Sequence, residues 1–292
     1  MLNFIDKRNK REAFIRILTQ HKQQILEERQ KQQQILEERQ KQQQILEEDQ
    51  KYNKMNIDYI LKDNYNSIIP LNLYTCWHTL ELPPLMRNHY NIIMKNNPEF
   101  NHILYDENMC RQFLIDNFDN EVIESYDSLI PCAYKADLWR YCILYKNGGI
   151  YLDIKYSCIN NFKLISLTEK EHWVLDADKN GVYNALIVSK PGNDILLKAI
   201  NKIVKNVKNK FYGSSSLEPT GPLLLSLFFT QNEKKYFELY HYIINNEYYI
   251  VYNDMIILKF YNNYREEQSK NQKKEHYSIL WHNKNIYINI DD

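Results

Sequence analysis

From Ile69 onward, short apolar runs alternate with longer segments of helical character. "IPLNLYTCWHT", "FNHILYD", "IYLDIKY", "HWVLDA" and "YNALIVSK" are predicted strands. "PPLMRNHYNIIMKNNP" is a predicted helix that begins at proline and stops before the next one. "ENMCRQFLIDNF", a stretch from about Ala133 to Tyr145, and "NDILLKAINKIVKNVKNKF" are further predicted helices. Strands alternating with helices predict a three-layer α/β domain with a mainly parallel sheet over residues 69–292.

Residues 21–50 have another texture, a decapeptide written three times as "HKQQILEERQ", "KQQQILEERQ" and "KQQQILEEDQ". Its residue types favour helix, and Glu27–Lys31, Glu37–Lys41 and Glu47–Lys51 are favourable pairs four apart. Ten residues at about 100° each rotate the Ile25-Leu26, Ile35-Leu36 and Ile45-Leu46 pairs by about −80° per repeat, so they wind around the helix. A solvated helical arm over 1–50 is therefore expected over a coiled-coil seam. Oligomerisation through it stays open, and polar residues 51–68 link it to the domain.

The formal charge of +0 removes any global reason to expect nucleic acid. Five scattered cysteines without CxxC spacing argue against a disulfide framework or zinc site and for a reducing compartment. The charged N-terminus lacks a signal-peptide core, and "GPLLLSLFF" falls well short of the ~20 apolar residues that span a bilayer. A soluble protein without a membrane span is expected, cytoplasmic or, if virus-encoded, in the host cytoplasm or virion. With 24 Tyr and only 6 Gly, the composition has the bias of an AT-rich genome, so single Tyr, Asn or Lys residues carry little weight.

Candidate chemistry concentrates in "AYKADLWRYCILYKNGGIYLDIK", residues 133–155. Asp137 and Arg140 are three apart and share a helix face. Gly148 and Gly149 stop that helix, and the following strand carries Tyr151 and Asp153 toward its carboxyl end, where ligands of open α/β sheets bind. Alone, a spaced Asp–Arg pair is ordinarily a surface salt bridge. The ordered combination instead places two acids, a fork-shaped cation and an aromatic in one crevice, suited to sugar hydroxyls or phosphates.

"ADLWRY…GGIYLDIK" resembles the core of glycosyltransferase family 32, the DXD sugar-transferase group that includes the yeast initiating mannosyltransferase, and that of the large clostridial glucosylating toxins. "YTCWHT", "PEFNHILYD", "YNALIVSKPGN" and "PTGPLLL" extend the resemblance over about residues 69–292. It implies an α/β fold of GT-A (Rossmann-like) type outside the N-terminal helical repeat arm. It also implies a nucleotide-sugar donor, UDP- or GDP-linked, a glycan or protein acceptor, and retention of anomeric configuration. By the same resemblance, Trp77 stacks on the nucleotide base and Asp137 and Arg140 hold the donor sugar. Tyr151 and Asp153 contact ribose and metal shell, while Asn184, Thr220 and Gly221 line the pocket. In "EHYSILWHNK", His276 is the implied metal ligand, with His282 behind it, and Trp281 the diphosphate partner.

The family's second acid, a direct ligand of Mn²⁺ or Mg²⁺, is here Lys155. Three outcomes stay open. Lys155 stands in for part of the cation's charge; or a metal is held by Asp153 and His276 with Lys155 turned away; or the site binds donors without turnover, leaving a degenerate binder with an interaction arm. "LDAD" offers Asp176 and Asp178 at literal DXD spacing but lacks the helix and glycine turn before it. No GxxxxGK[ST], GxGxxG or GxSxG motif competes.

Overall fold

The structure, a computed structural model, describes residues 2–271 and 275–288, without the side chains of 2–13, 15, 17, 20, 25 and 27. Contacts divide the chain into two units, Met1–Lys54 and Met55–Asp292.

The first unit is a helix, α1 (Leu2–Met55). Leu26, Ile35, Leu36, Ile45 and Leu46 are all exposed along it, as the winding of the repeat requires. Ile25 and the Glu27–Lys31 pair lie outside the described side chains. Glu37 and Glu47 accept from Gln33 and Gln43, four residues earlier, at 3.3 and 3.1 Å.

The second unit opens with β1 (Asn72–Cys76), α2 (Pro84–Asn96) and β2 (Asn101–Tyr105). Then come α3 (Glu107–Asn117), α4 (Asn120–Ser128) and α5 (Cys132–Asn147). Asp106 and Asp119 cap α3 and α4 by accepting the backbone N–H of Met109 and Val122. Strands β3 (Gly149–Leu152), β4 (Tyr156–Cys158), β5 (Val174–Leu175) and β6 (Leu186–Ser189) lead to α6 (Asp194–Lys208). After α7 (Pro222–Ser226) and α8 (Gln231–Lys234), a meander β7 (Leu239–Ile244), β8 (Glu247–Tyr252) and β9 (Met255–Phe260) precedes α9 (Tyr264–Asn271) and α10 (Tyr277–His282).

Two sheets result. One has the order β2-β1-β3-β6, with β1 parallel to β2 and β3, and β6 antiparallel to β3. The other has the order β4-β9-β8-β7-β5 and is antiparallel except for the β5–β7 pair. The architecture is thus mixed α/β. The expected parallel sheet accounts for the first sheet only, and the antiparallel meander was not anticipated.

β3 is buried at every position, as a central strand covered on both faces must be. Its side chains alternate between two cores. Tyr151 joins Tyr74, Ile187 and the buried faces of α5 and α6. Ile150 and Leu152 join Leu73, Leu186 and Val188 against Leu239, Ile250 and Leu258 of the second sheet. The expected continuous strand "IYLDIKY" is broken at Asp153. The Tyr156 N–H donates back to Asp153 O at 3.1 Å, and the chain crosses from the first sheet to the second within Asp153–Lys155.

Candidate functional site

Two glycines set the approach to this crossing. Gly148 and Gly149 have φ +62° and +116°. A Cβ on Gly148 would lie 2.6 Å from Pro191, and one on Gly149 2.6 Å from Asn72 O. The helix therefore ends and β3 begins in a space no side chain shares. Asp153 follows β3 directly, beside the carboxyl end of β1, where Thr75 Oγ1 donates to Leu152 O at 2.9 Å. That is the end of the parallel strands at which such sheets bind ligands.

Asp137 and Arg140 are buried beneath this crossing, 7% and 6% exposed, so the pair is not a surface salt bridge. Asp137 accepts from Thr220 Oγ1 at 2.7 Å and Asn184 Nδ2 at 2.9 Å, and lies 3.4 Å from Arg140. Asn184 Nδ2 also reaches Tyr141 Oη at 2.8 Å. Arg140 donates to Asn184 O at 2.7 Å, sits 3.5 Å from Asp153 Oδ1 and lies 4.4 Å over the Tyr151 ring. Tyr151 Oη donates to Asp153 Oδ1 at 2.7 Å, and Lys155 Nζ lies 2.6 Å from Asp153 Oδ2.

These contacts decide the charge states. Burial pushes the Asp137 carboxyl above its ordinary value, outweighing Arg140 and the Thr220 and Asn184 hydrogen bonds. Burial acts the same way on Asp153, but Lys155 and Arg140 beside it prevail and hold it below the usual range. Burial opposes the Lys155 charge, yet Asp153 raises its pKa overall. Asp153 and Lys155 retain 18% and 16% side-chain exposure against 7% for Arg140, so they form the open rim of the network.

Eight of the residues singled out from sequence thus meet in one place: Asp137, Arg140, Tyr151, Asp153, Lys155, Asn184, Thr220 and Gly221, on which a Cβ would lie 3.5 Å from Asp137 Oδ2. Trp77 lies just past β1, half-buried, its ring 4.8 Å from that of His78 and its Nε1 buried without a partner among the described residues. His276 caps α10, with Nδ1 2.7 Å from Ser278 Oγ. Trp281 donates its indole N–H to Tyr212 O at 2.6 Å, which ties α10 down. The sequence also places Tyr141 on the helix face of Asp137 and Arg140, where the structure has it, whereas Tyr183 and Phe260 were missed as site residues. Tyr183 and Phe260 lie with Tyr156 around the Lys155 ammonium, with ring centroids 5.4, 5.1 and 5.9 Å from Nζ. Tyr183 opens the quoted "YNALIVSK", whereas Phe260 stood in no quoted motif.

The donor set does not fit a divalent cation. One Asp153 oxygen receives Tyr151 and faces Arg140, the other is held by an ammonium, and a cation at position 155 repels a metal. Among the described residues, no three His, Cys, Asp or Glu side chains group to hold one. "LDAD" does not supply the missing ligands. Asp176 pairs with His241 at 2.9 Å, and Asp178 Oδ1 accepts the N–H of Asn180 and Gly181 in a turn.

Residues 83–180 match the family model described as a glycosyltransferase sugar-binding region containing a DXD motif. The match takes in α5, the glycine turn and Asp153–Lys155, and ends before Asn184. Inositol phosphoceramide mannosyltransferase 3 of Schizosaccharomyces pombe is 28% identical over 165 residues, 56% of this chain and 46% of that protein. An uncharacterized glycosyltransferase of Acanthamoeba polyphaga mimivirus is 39% identical over 80 residues, 27% of this chain and 32% of the other. The solved PaToxG glycosyltransferase aligns at 18% identity with a TM-score of 0.43, covering 56% of this chain and 69% of its own. The chain spans about half the length of the first of these relatives.

Proposed function

We propose that this chain, related through residues 83–180 to the DXD-type glycosyltransferases, is a retaining glycosyltransferase with a GT-A-type domain over residues 69–292. It moves a sugar from a UDP- or GDP-linked donor to a glycan or protein acceptor. One observation carries the reading: Asp137, Arg140 and Asp153 form a connected buried network at the carboxyl ends of β1 and β3, inside the matched segment.

The roles are those the resemblance implies, and the placement of the residues supports them. Asp137 and Arg140 hold the donor sugar's hydroxyls, the carboxylate accepting and the guanidinium donating. Asn184 and Thr220 fix the Asp137 carboxylate and are positioning residues. Trp77, at the end of β1, offers its face to the base, and Tyr151 and Asp153 face the ribose. In transfer, the acceptor oxygen bonds to the anomeric carbon on the face from which the diphosphate departs. The carbon–phosphate-oxygen bond breaks with its electron pair going to the diphosphate, and the acceptor proton passes to a diphosphate oxygen. The protein's part is to orient and to exclude water.

A panel of UDP- and GDP-sugars tests this, read as release of nucleoside diphosphate with and without acceptor. Release from one donor is expected, and Asp137→Asn should abolish most of it. Lys155 favours a second reading, a binder that does not turn its donor over. There, wild-type protein would bind a donor inertly and Lys155→Asp would gain Mn²⁺-dependent release.

A further inference from the structure

The pattern this chain resembles places three carboxylates against one arginine, a deficit of two charges that a divalent cation cancels. Here the balance is already closed. Asp137 and Asp153 face Arg140 and Lys155, two carboxylates against two cations, within one set of contacts. Exchanging an acid for lysine at position 155 changes the site by two positive charges, the charge of the ion it displaces.

The surroundings of Lys155 match that exchange. Its ammonium lies within about 6 Å of three aromatic faces, the range in which a ring quadrupole attracts a cation. An aspartate there would be too short to reach Tyr183 and Phe260 and would sit against Asp153, carboxylate to carboxylate. The backbone is fixed as well, since Lys155 O accepts the Tyr261 N–H at 3.0 Å. Asp153 and the Tyr183 hydroxyl engage two of the three ammonium donors, on the rim of the network.

We infer that Lys155 is a built-in replacement for the divalent cation, so that the site binds the diphosphate of its donor through Lys155 without a metal. This rests on the glycosyltransferase reading and adds to it which charge meets the leaving group. Arg140 lies deeper and holds Asp137 and Asp153 in register, while Lys155, pinned by Asp153 and the ring cage, presents charge at the rim. A positive charge supplied this way is always in place and does not depend on metal concentration.

Calorimetric titration of the full chain with UDP-glucose, GDP-mannose, UDP and GDP, in EDTA and again in Mn²⁺, decides the matter. Binding in EDTA is expected, changed by less than about twofold in Mn²⁺. Lys155→Asp should bind the same nucleotide at least about tenfold more weakly in EDTA and regain affinity in Mn²⁺. Lys155→Arg, which keeps the charge, should still bind in EDTA. Electron paramagnetic resonance of Mn²⁺ should show no protein-bound ion in wild type with UDP or GDP beyond what the free nucleotide holds. Wild-type binding that appears only with Mn²⁺ overturns the inference and leaves the glycosyltransferase reading standing. Failure of all four nucleotides in both conditions overturns the reading and the inference together.

Discussion

Lys155 Nζ lies 2.6 Å from Asp153 Oδ2, and a single buried isoleucine separates the two residues in sequence. The pair sits where the chain leaves one sheet for the other, so both side chains project from a turn whose backbone is tied to β9 and α9 through Tyr261.

The pair should leave a signature in stability against pH. Asp153 is held below its usual 3.8, so its contribution is present above that value and lost as pH falls through the lower folded pKa. Lys155 is raised above 10.5, so its contribution is present below that value and lost as pH rises through the folded pKa. Arg140, Tyr151, Tyr183 and Tyr264 also face the pair and are common to the variant compared. The difference in urea-unfolding free energy between wild type and Lys155→Met should be level from about pH 5 to about pH 9 and shrink below about pH 4. A difference that ignores acid would mean that Lys155 does not pair with Asp153 in solution.

Thr220→Val keeps the shape of the side chain and removes the hydroxyl that donates to Asp137 Oδ2 at 2.7 Å. A buried carboxylate then loses one donor, which costs about 1–3 kcal/mol. Asp137 should also rise further in pKa, so nucleotide-sugar turnover should fall while Thr220→Ser retains most of it. Equal activity of the valine and serine variants would remove Thr220 from the positioning set.

Gly149→Ala should be among the most damaging small substitutions in the chain. The residue has φ +116°, and a methyl group would meet Asn72 O at 2.6 Å with no side chain able to move aside. Backbone strain of this kind costs about 1–3 kcal/mol before the clash is counted. Gly192→Ala, at φ +73° with open space around it, is the control and should cost less. Thermal unfolding of the two variants compares them directly.

On the proposed role of Trp77, stacking on the base and not the sugar, Trp77→Ala should weaken UDP or GDP and the matching nucleotide sugar by the same factor. Loss of one stacked base is worth about 1–3 kcal/mol, or roughly 5–150-fold in affinity. Nucleotide binding should also quench Trp77 fluorescence in wild type. A variant that binds UDP and GDP normally would return Trp77 to the ring contacts it makes at the end of β1.

Much of this site could be read along the chain because its parts are close in sequence. The Asp137–Arg140 spacing, the glycine pair and Asp153 fall within 17 residues and follow local rules of helix period, helix stop and strand direction. Burial of the Asp–Arg pair could not be read, since it depends on Thr220 and Asn184 closing over Asp137 from loops far along the chain. The strand break at Asp153 was hidden because apolar alternation runs on through Ile154 and Tyr156 into the second sheet. The cage of Lys155 escaped for a compositional reason. Among 24 tyrosines no single one stands out, and Phe260 ends a meander whose alternation speaks only of a sheet. His276 and Trp281 had plausible spacing, but α10 uses one as its cap and the other as its anchor to Tyr212.

The most direct measurement follows donor consumption by proton NMR, with UDP- and GDP-sugars incubated with the full chain in EDTA. Expected is slow conversion of one donor to nucleoside diphosphate and a sugar that first appears in the donor's own anomeric configuration, with Asp137→Asn inert. No consumption of any donor, in EDTA or in Mn²⁺, would contradict the assignment of this network as a glycosyltransferase site.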